Sequence, residues 1–246
     1  MKVYKYRDLS QTDDGTFDRL RRILQSRTLW CASPDALNDR EEFRWTCDFT
    51  PSFLTVGILA QLLVAERGHP WDEAHKHASD IVNSGRLREF AQPEIDKIVR
   101  QCRKEIGLCC LGTSPNNETL WTRYAGGGAG VCIEFDIPEE SVGTQWRYVD
   151  YSDVRTIHVD DLVTARVDHQ SREKVYTVAL LSKSRRWQSF DWEAEQEIRF
   201  VSKAQKVNMV IDGSISRVIL GSALDDSAVR RVHVIAGIIP VEHSGM

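Results

Sequence analysis

Trp192-Glu193-Ala194-Glu195-Gln196-Glu197-Ile198-Arg199-Phe200 alternates acidic and uncharged residues before a guanidinium, the pattern of a strand with one charged face. Alternate residues of an extended chain share a face. Read as a strand from Glu195 to Ser202, the stretch turns Ala194, Gln196, Ile198 and Phe200 toward a core. Glu193, Glu195, Glu197 and Arg199 then point the other way. Like charges at this spacing repel, and two close carboxylates raise the pKa of at least one of them. On a solvated edge strand Arg199 is simply their counter-charge. In a cleft, one carboxylate orients a substrate hydroxyl and stabilises developing positive charge, while the other acts as base or positioner.

Working outward, strand signals dominate both ends of the chain. Val3 to Arg7 opens it and Thr28 to Cys31 follows. Gly107 to Leu111, Gly130 to Phe135, Trp146 to Tyr151, Val207 to Ile211, Arg217 to Leu220 and Val232 to Ile239 complete the set. Phe17, Leu20, Ile23 and Leu24 share a helical face. Helices are also predicted over Glu118 to Tyr124 and Ser171 to Lys183. Residues 52–106 differ, with Ile58, Leu59, Leu62 and Leu63 at helical spacing, a helix opened by Pro70 and closed at Ser84-Gly85, and a third through Ile95. The order predicts an α+β fold with a mostly antiparallel sheet. A single domain over 1–246, with a helical layer inserted at about 52–106, is expected.

Composition narrows the classes. The 246 residues suffice for one ample domain. A net charge of -4 excludes a strongly basic nucleic-acid-coating protein. The longest apolar stretch, Val56 to Ala65, is broken by Gln61 and is too short to span a bilayer. No signal-peptide run follows the N-terminus, so a cytoplasmic protein without membrane contact is the expectation. The six cysteines form no C-x-x-C, and all read as buried small hydrophobes. His75 and His77 face away from each other on a predicted helix, and no metal site is expected.

Three further patterns carry chemistry. Leu120-Trp121-Thr122-Arg123-Tyr124-Ala125 runs into Gly126-Gly127-Gly128-Ala129-Gly130 and then Val131 to Phe135. No Gly-Lys-Ser/Thr follows, so this is not a nucleotide phosphate loop. It reads as a turn from helix to strand, or as bare backbone lying under a ligand. In Tyr4-Lys5-Tyr6-Arg7, the terminal Arg7 is either salt-bridged at the surface or a bidentate clamp for phosphate. Lys183-Ser184-Arg185-Arg186-Trp187 interleaves cations with an indole. That suits a solvated helix end, or a site for nucleic acid or a phosphate-bearing ligand.

Taken in order, these patterns resemble the bacterial domain-of-unknown-function family 2971. Its opening aromatic-Lys-Tyr-Arg strand is matched by Tyr4 to Arg7, and its Trp…Ser-Pro…Asn-Asp stretch by Trp30, Ser33-Pro34 and Asn38-Asp39. Its Leu-Trp-x-x-Tyr-Ala and Gly-Val-Cys-Ile-Glu-Phe segments are matched by Leu120 to Ala125 and Gly130 to Phe135. Its Lys…Trp…Glu-x-Glu-x-Arg ending is matched by Lys183, Trp187, Glu195, Glu197 and Arg199. Arg40 stands where the family often has Pro. More weakly, the layout resembles the ADP-ribosyltransferase superfamily, with Arg on a first strand, Ser or an aromatic on a second and Glu-x-Glu on a later one.

That second resemblance implies an NAD-consuming enzyme, transferring ADP-ribose to a protein or nucleic acid or hydrolysing NAD, in a bacterial effector or defence role. Glu197, Glu195 and Arg7 become the catalytic set. Tyr6, Arg7, Trp30, Ser33, Asn38, Trp121, Tyr124, Lys183 and Arg199 become the NAD-binding set. The chemistry asks for a carboxylate on the ribose 2-hydroxyl, a cation on the pyrophosphate and aromatics around the nicotinamide. It also requires Arg7 and Glu197 on one face of the sheet. Two rival readings are a non-catalytic module sensing a nucleotide or nucleic-acid end, and a nuclease with Mg²⁺ held by Glu134, Asp136, Glu195 and Glu197. Of the seven tryptophans, Trp30, Trp121, Trp187 and Trp192 are expected to cluster. Trp45, Trp71 and Trp146 are expected in ordinary packing.

Overall fold

The computed structural model describes residues 1–37, 46–152, 156–168, 181–183, 185–187 and 190–245. The chain begins with β1 (Lys2–Asp8), α1 (Asp14–Ser26), β2 (Thr28–Cys31) and β3 (Thr46–Asp48). Then come α2 (Thr55–Arg67), α3 (Trp71–Asn83), α4 (Leu87–Glu105), β4 (Gly107–Gly112), α5 (Glu118–Tyr124) and β5 (Gly130–Asp136). After these follow β6 (Trp146–Tyr148), β7 (Asp150–Tyr151), β8 (Thr156–His158), α6 (Val159–Thr164), β9 (Ser182–Lys183), β10 (Arg186–Trp187) and β11 (Phe190–Asp191). The last elements are β12 (Glu197–Ser202), β13 (Val207–Val210), β14 (Ser214–Leu220), α7 (Asp226–Ala236) and β15 (Val241–His243).

These elements form two compact units. One comprises Met1–Ala36, Ile106–Tyr151 and Ser184–Met246; the other comprises Leu37–Glu105 and Ser152–Lys183. The expectation of one domain with helices inserted at 52–106 therefore meets a chain that feeds the helical unit from two separate segments.

The first unit is built on a seven-stranded sheet ordered β15-β14-β5-β1-β4-β12-β6. Its pairings are antiparallel except β14 with β15. The mixed α and β content and the mostly antiparallel sheet are as the sequence predicts. One face is the main core. Val3, Leu111, Ile133, Phe135, Ile198, Phe200 and Val218 meet Phe17, Leu20, Ile23 and Leu24 of α1 and Ala228, Val232, Ile235 and Ala236 of α7. Trp146 is fully buried there against Phe200. The opposite face carries a smaller cluster of Tyr4, Tyr6, Cys132 and Ile219 with Leu120, Trp121 and Ala125 of the α5 region.

The second unit packs α2, α3, α4 and α6 around Leu59, Leu63, Ala78, Ile81, Ile95 and Leu162. Asp160 anchors it by accepting from the hydroxyls of Ser52 and Thr55 at 2.6 and 2.8 Å. Among the described residues, no helix is long and apolar enough to cross a membrane.

Two elements correct the sequence reading. Val232 to Ile239 is not a strand, because its first half belongs to α7, whose buried Ala228, Val232, Ile235 and Ala236 follow helical spacing. Asp225 caps that helix by accepting from the Ala228 amide. The β-branched run imitates a strand, but the cap and the spacing decide. The helix expected over Ser171 to Lys183 falls mostly outside the described residues, and its end, Ser182–Lys183, is β9. Among the described cysteines Cys31, Cys109 and Cys132 are buried, whereas Cys47 and Cys110 are half-buried and so depart from that reading.

Candidate functional site

The stretch 192–200 is not one strand. Glu193–Glu195 forms a 3₁₀ turn, Gln196 takes a left-handed conformation at φ 47°, and β12 starts only at Glu197. Three carboxylates in a row on one extended face would repel. The turn breaks that row and gives each carboxylate its own cation. Nor is β12 an edge, since it runs between β4 and β6. Ile198 and Phe200 face the core as expected, while Ala194 and Gln196 lie outside the strand.

Glu195 reaches α5. Its Oε1 accepts from Arg123 Nη1 at 2.9 Å and from the Tyr124 hydroxyl at 3.0 Å. Glu197 is chelated by Arg199, with Nε to Oε1 at 2.8 Å and Nη2 to Oε2 at 3.2 Å. The fractional exposures are 2% for Glu195, 5% for Glu197 and 0% for Arg199. Charges this deep persist only when paired, and a two-point guanidinium–carboxylate contact suits the planar geometry of both groups. The Glu197 amide donates to the Tyr151 hydroxyl at 2.9 Å.

Backbone register sets the faces. Glu197 and Tyr4 are both partners of Gly112 in β4, and antiparallel partners share a face. Glu197, Arg199, Tyr4 and Tyr6 therefore stand on the α5 face. Trp121 packs edge-on against Tyr6, with ring centroids 5.3 Å apart, and donates its indole N–H to the Pro115 carbonyl. Tyr6 donates to the Ser114 carbonyl at 2.6 Å, and burial raises its pKa well above the ordinary tyrosine value. Arg123 lies 5.0 Å from the centre of the Trp192 ring.

Arg7 is on the other face. It follows Tyr6 in an alternating strand and pairs with Val131, a core residue. Burial and then the neighbouring Arg19 of α1 lower its pKa. The sheet thus separates Arg7 from Glu197, and the expected clamp-and-carboxylate pair is not assembled. One residue of strand phase decides this.

The other expected residues divide similarly. Tyr6, Trp121, Tyr124, Glu195, Glu197 and Arg199 come together. Trp30 is 53% exposed on β2, which pairs with β13 in a separate ribbon, while its neighbours Leu29 and Cys31 fill the core. Ser33 is buried just beyond β2. Lys183 is buried in the second unit. Asn38, Trp45 and the Trp187 side chain lie outside the described residues. Of the expected tryptophan cluster, Trp121 stands on α5 and Trp192 lies against Arg123 of the same helix, whereas Trp30 does not join them. Trp71 is half exposed on α3, beside His75 rather than in packing.

The Mg²⁺ constellation is not assembled either. Glu134 is on β5, with β1 and β4 between it and β12. Its carboxylate is taken by Lys2 at 2.6 Å and Arg217 at 2.9 Å. Burial pushes its pKa up, but the hydrogen bonds from Lys2 and Arg217 outweigh that and hold it below the ordinary value. Among the described residues, no three His, Cys, Asp or Glu side chains are grouped to hold a metal ion.

The glycine run has a local cause. Gly126, Gly127 and Gly128 all have positive φ. A Cβ on Gly130 would sit 2.2 Å from the Arg7 carbonyl oxygen. The run is a tight left-handed turn against β1.

Sequence reasoning missed Asn117. It caps α5 by accepting from the Leu120 amide at 3.0 Å, and its amide group donates to the carbonyls of Ala194 and Glu195. One side chain thereby holds the turn bearing Glu195 to the helix bearing Arg123 and Tyr124. Asn immediately ahead of a helical pattern is a legible cap signal, but its second partner is 77 residues away. No family model, curated protein or solved structure matches the chain.

Proposed function

We propose that the protein is an NAD-consuming enzyme resembling ADP-ribosyltransferases, with Glu197 as its catalytic carboxylate and Glu195 beside it. The observation that carries the reading is the pair itself. Two carboxylates at the head of one strand are held separately, Glu197 by Arg199 and Glu195 by Arg123 and Tyr124, next to Tyr6, Trp121 and Trp192. Cleavage of the nicotinamide–ribose bond develops oxocarbenium character on the sugar. A carboxylate accepting from the ribose 2-hydroxyl then binds more tightly in the transition state than in the ground state. Arg199 fixes the plane of Glu197 for that role. Arg7 has no part in the site, and Arg123 is the guanidinium on the correct face for a phosphate. The acceptor would be a protein, a nucleic acid or water.

A second reading is favoured by one observation: both carboxylates are almost fully buried and already bound by arginine. In that reading the face binds a nucleotide or a nucleic-acid end without turning it over. The test is incubation with NAD and a cell lysate, with nicotinamide release and adduct mass read by mass spectrometry. Glu197→Gln is the variant of choice, because Glu197→Ala strands the buried Arg199 at a cost of about 3–5 kcal/mol. The enzyme reading expects nicotinamide release that drops at least a hundredfold in Glu197→Gln. NAD binding by calorimetry without release supports the sensing module, and neither binding nor release at millimolar NAD sinks the enzyme reading.

A further inference from the structure

Outside that face, the first unit presents a shallow groove of about 370 Å³ lined by Arg21 of α1 and by Ser227, Arg230, Arg231, Val234 and Ile235 of α7. On α7 the lining residues recur at three- and four-residue steps, so they form one stripe. The stripe has two characters. At one end are guanidinium groups. Arg231 is held in place by Asp14 at 2.8 Å and by the Thr12 carbonyl at 3.1 Å, 3.9 Å over the Phe17 ring. Arg21 pairs with Asp18 on its own helix, and Arg230 is exposed near Asp225, the cap of α7, whose pKa it helps to lower. At the other end the stripe is aliphatic. Val234 is 82% exposed, and Ile238, just beyond the helix, is fully exposed.

We propose that this groove docks an acidic peptide segment of a partner protein, one that carries aliphatic side chains between its carboxylates. Charge complementarity selects the acidic side chains, with Arg230 and Arg21 as their contacts and Arg231 as a fixed cation beside them. Exposed Val234 gains from covering by an aliphatic side chain, which a phosphate backbone does not offer. Asp14 and Asp18 beside the arginines also disfavour a continuous run of phosphates. Carboxylates spaced along a peptide can sit between them.

The experiment uses the full chain and fluorescence anisotropy. The probes are a labelled Glu/Leu peptide, a Lys/Leu peptide of the same pattern and a single-stranded oligonucleotide of matching charge. The Glu/Leu peptide is expected to bind at least tenfold tighter than either control, and more weakly as salt is raised. Arg21→Glu with Arg230→Glu, and separately Val234→Asp, are each expected to weaken it at least tenfold. All three positions are solvent-facing, and far-UV circular dichroism checks that the variants fold. Equal binding of the two peptides, tighter binding of the oligonucleotide, or variants that bind like the parent would each overturn the proposal.

Discussion

Glu134 shows how a residue can carry the right chemistry in the wrong place. It is almost fully buried between Lys2 and Arg217, and Arg217 also reaches Glu242. Its pKa is held below the ordinary glutamate value, so the linkage has a definite sign. The folded state binds the Glu134 proton less readily than the unfolded state does. The stability this gives is present above the unfolded value of about 4.3 and is lost as the pH falls through the lowered folded value. Glu134→Gln should cost about 1.5–3 kcal/mol at neutral pH, the worth of hydrogen bonds to a charged group. Urea unfolding of both proteins from pH 6 downward should show the gap narrowing as Glu134 protonates. A gap that does not change with pH would mean that the ion pairs contribute nothing. The identity of such charged residues is plain in the sequence. Their partners are not, because Glu134 and Lys2 are 132 positions apart.

At the scale of elements, helices were legible wherever spacing, cap and stop agreed. α5 and the buried positions of α1 follow the sequence pattern, and Pro70 and Ser84 bracket α3 as read. Failure came where one signal was taken alone. The β-branched run of α7 suggested a strand, and the alternating charges around Glu195 suggested a longer one. In both places a backbone feature overrode the alternation: the Asp225 cap in the first, left-handed Gln196 in the second. Asn117 joins α5 to the turn before β12. Asn117→Ala is expected to cost about 1 kcal/mol from the lost cap, and more once the carbonyls of Ala194 and Glu195 lose their donor. Thermal unfolding gives the stability. In an active preparation, kcat should fall further than the stability loss explains, while Asn117→Asp, which keeps the cap but cannot donate to Ala194 and Glu195, should recover only the cap's share of the stability and none of the activity.

For the whole molecule, the decisive fact is that the chain leaves the sheet unit after Ala36, returns at Ile106, leaves again after Tyr151 and returns at Ser184. Each unit keeps its own apolar core. Leu63 is almost fully buried in the helical unit and Leu20 in the sheet unit. Truncating either to Ala should cost about 2–5 kcal/mol. Hydrogen exchange should find the lost protection of Leu63→Ala in α2 and α3, and that of Leu20→Ala in α1 and the central strands. If both variants lost protection evenly across the chain, the two cores would be one cooperative unit.

The mixed α and β class, most helices and strands, and the residue types available for chemistry are legible along the chain, because they follow from local periodicity and capping. The sequence also brings the residues of the α5 face into one motif order: Tyr6, Trp121, Tyr124, Glu195, Glu197 and Arg199. Which charges meet depends on contacts made across the fold. Strand phase put Arg7 behind the sheet, and sheet order kept two strands between Glu134 and Glu197. The 3₁₀ turn before β12 gave Glu195 to α5 and left Glu197 to Arg199. The physical reason is that a charge becomes buried only with a partner, and that partner is chosen by register and packing across the fold rather than by spacing along the chain.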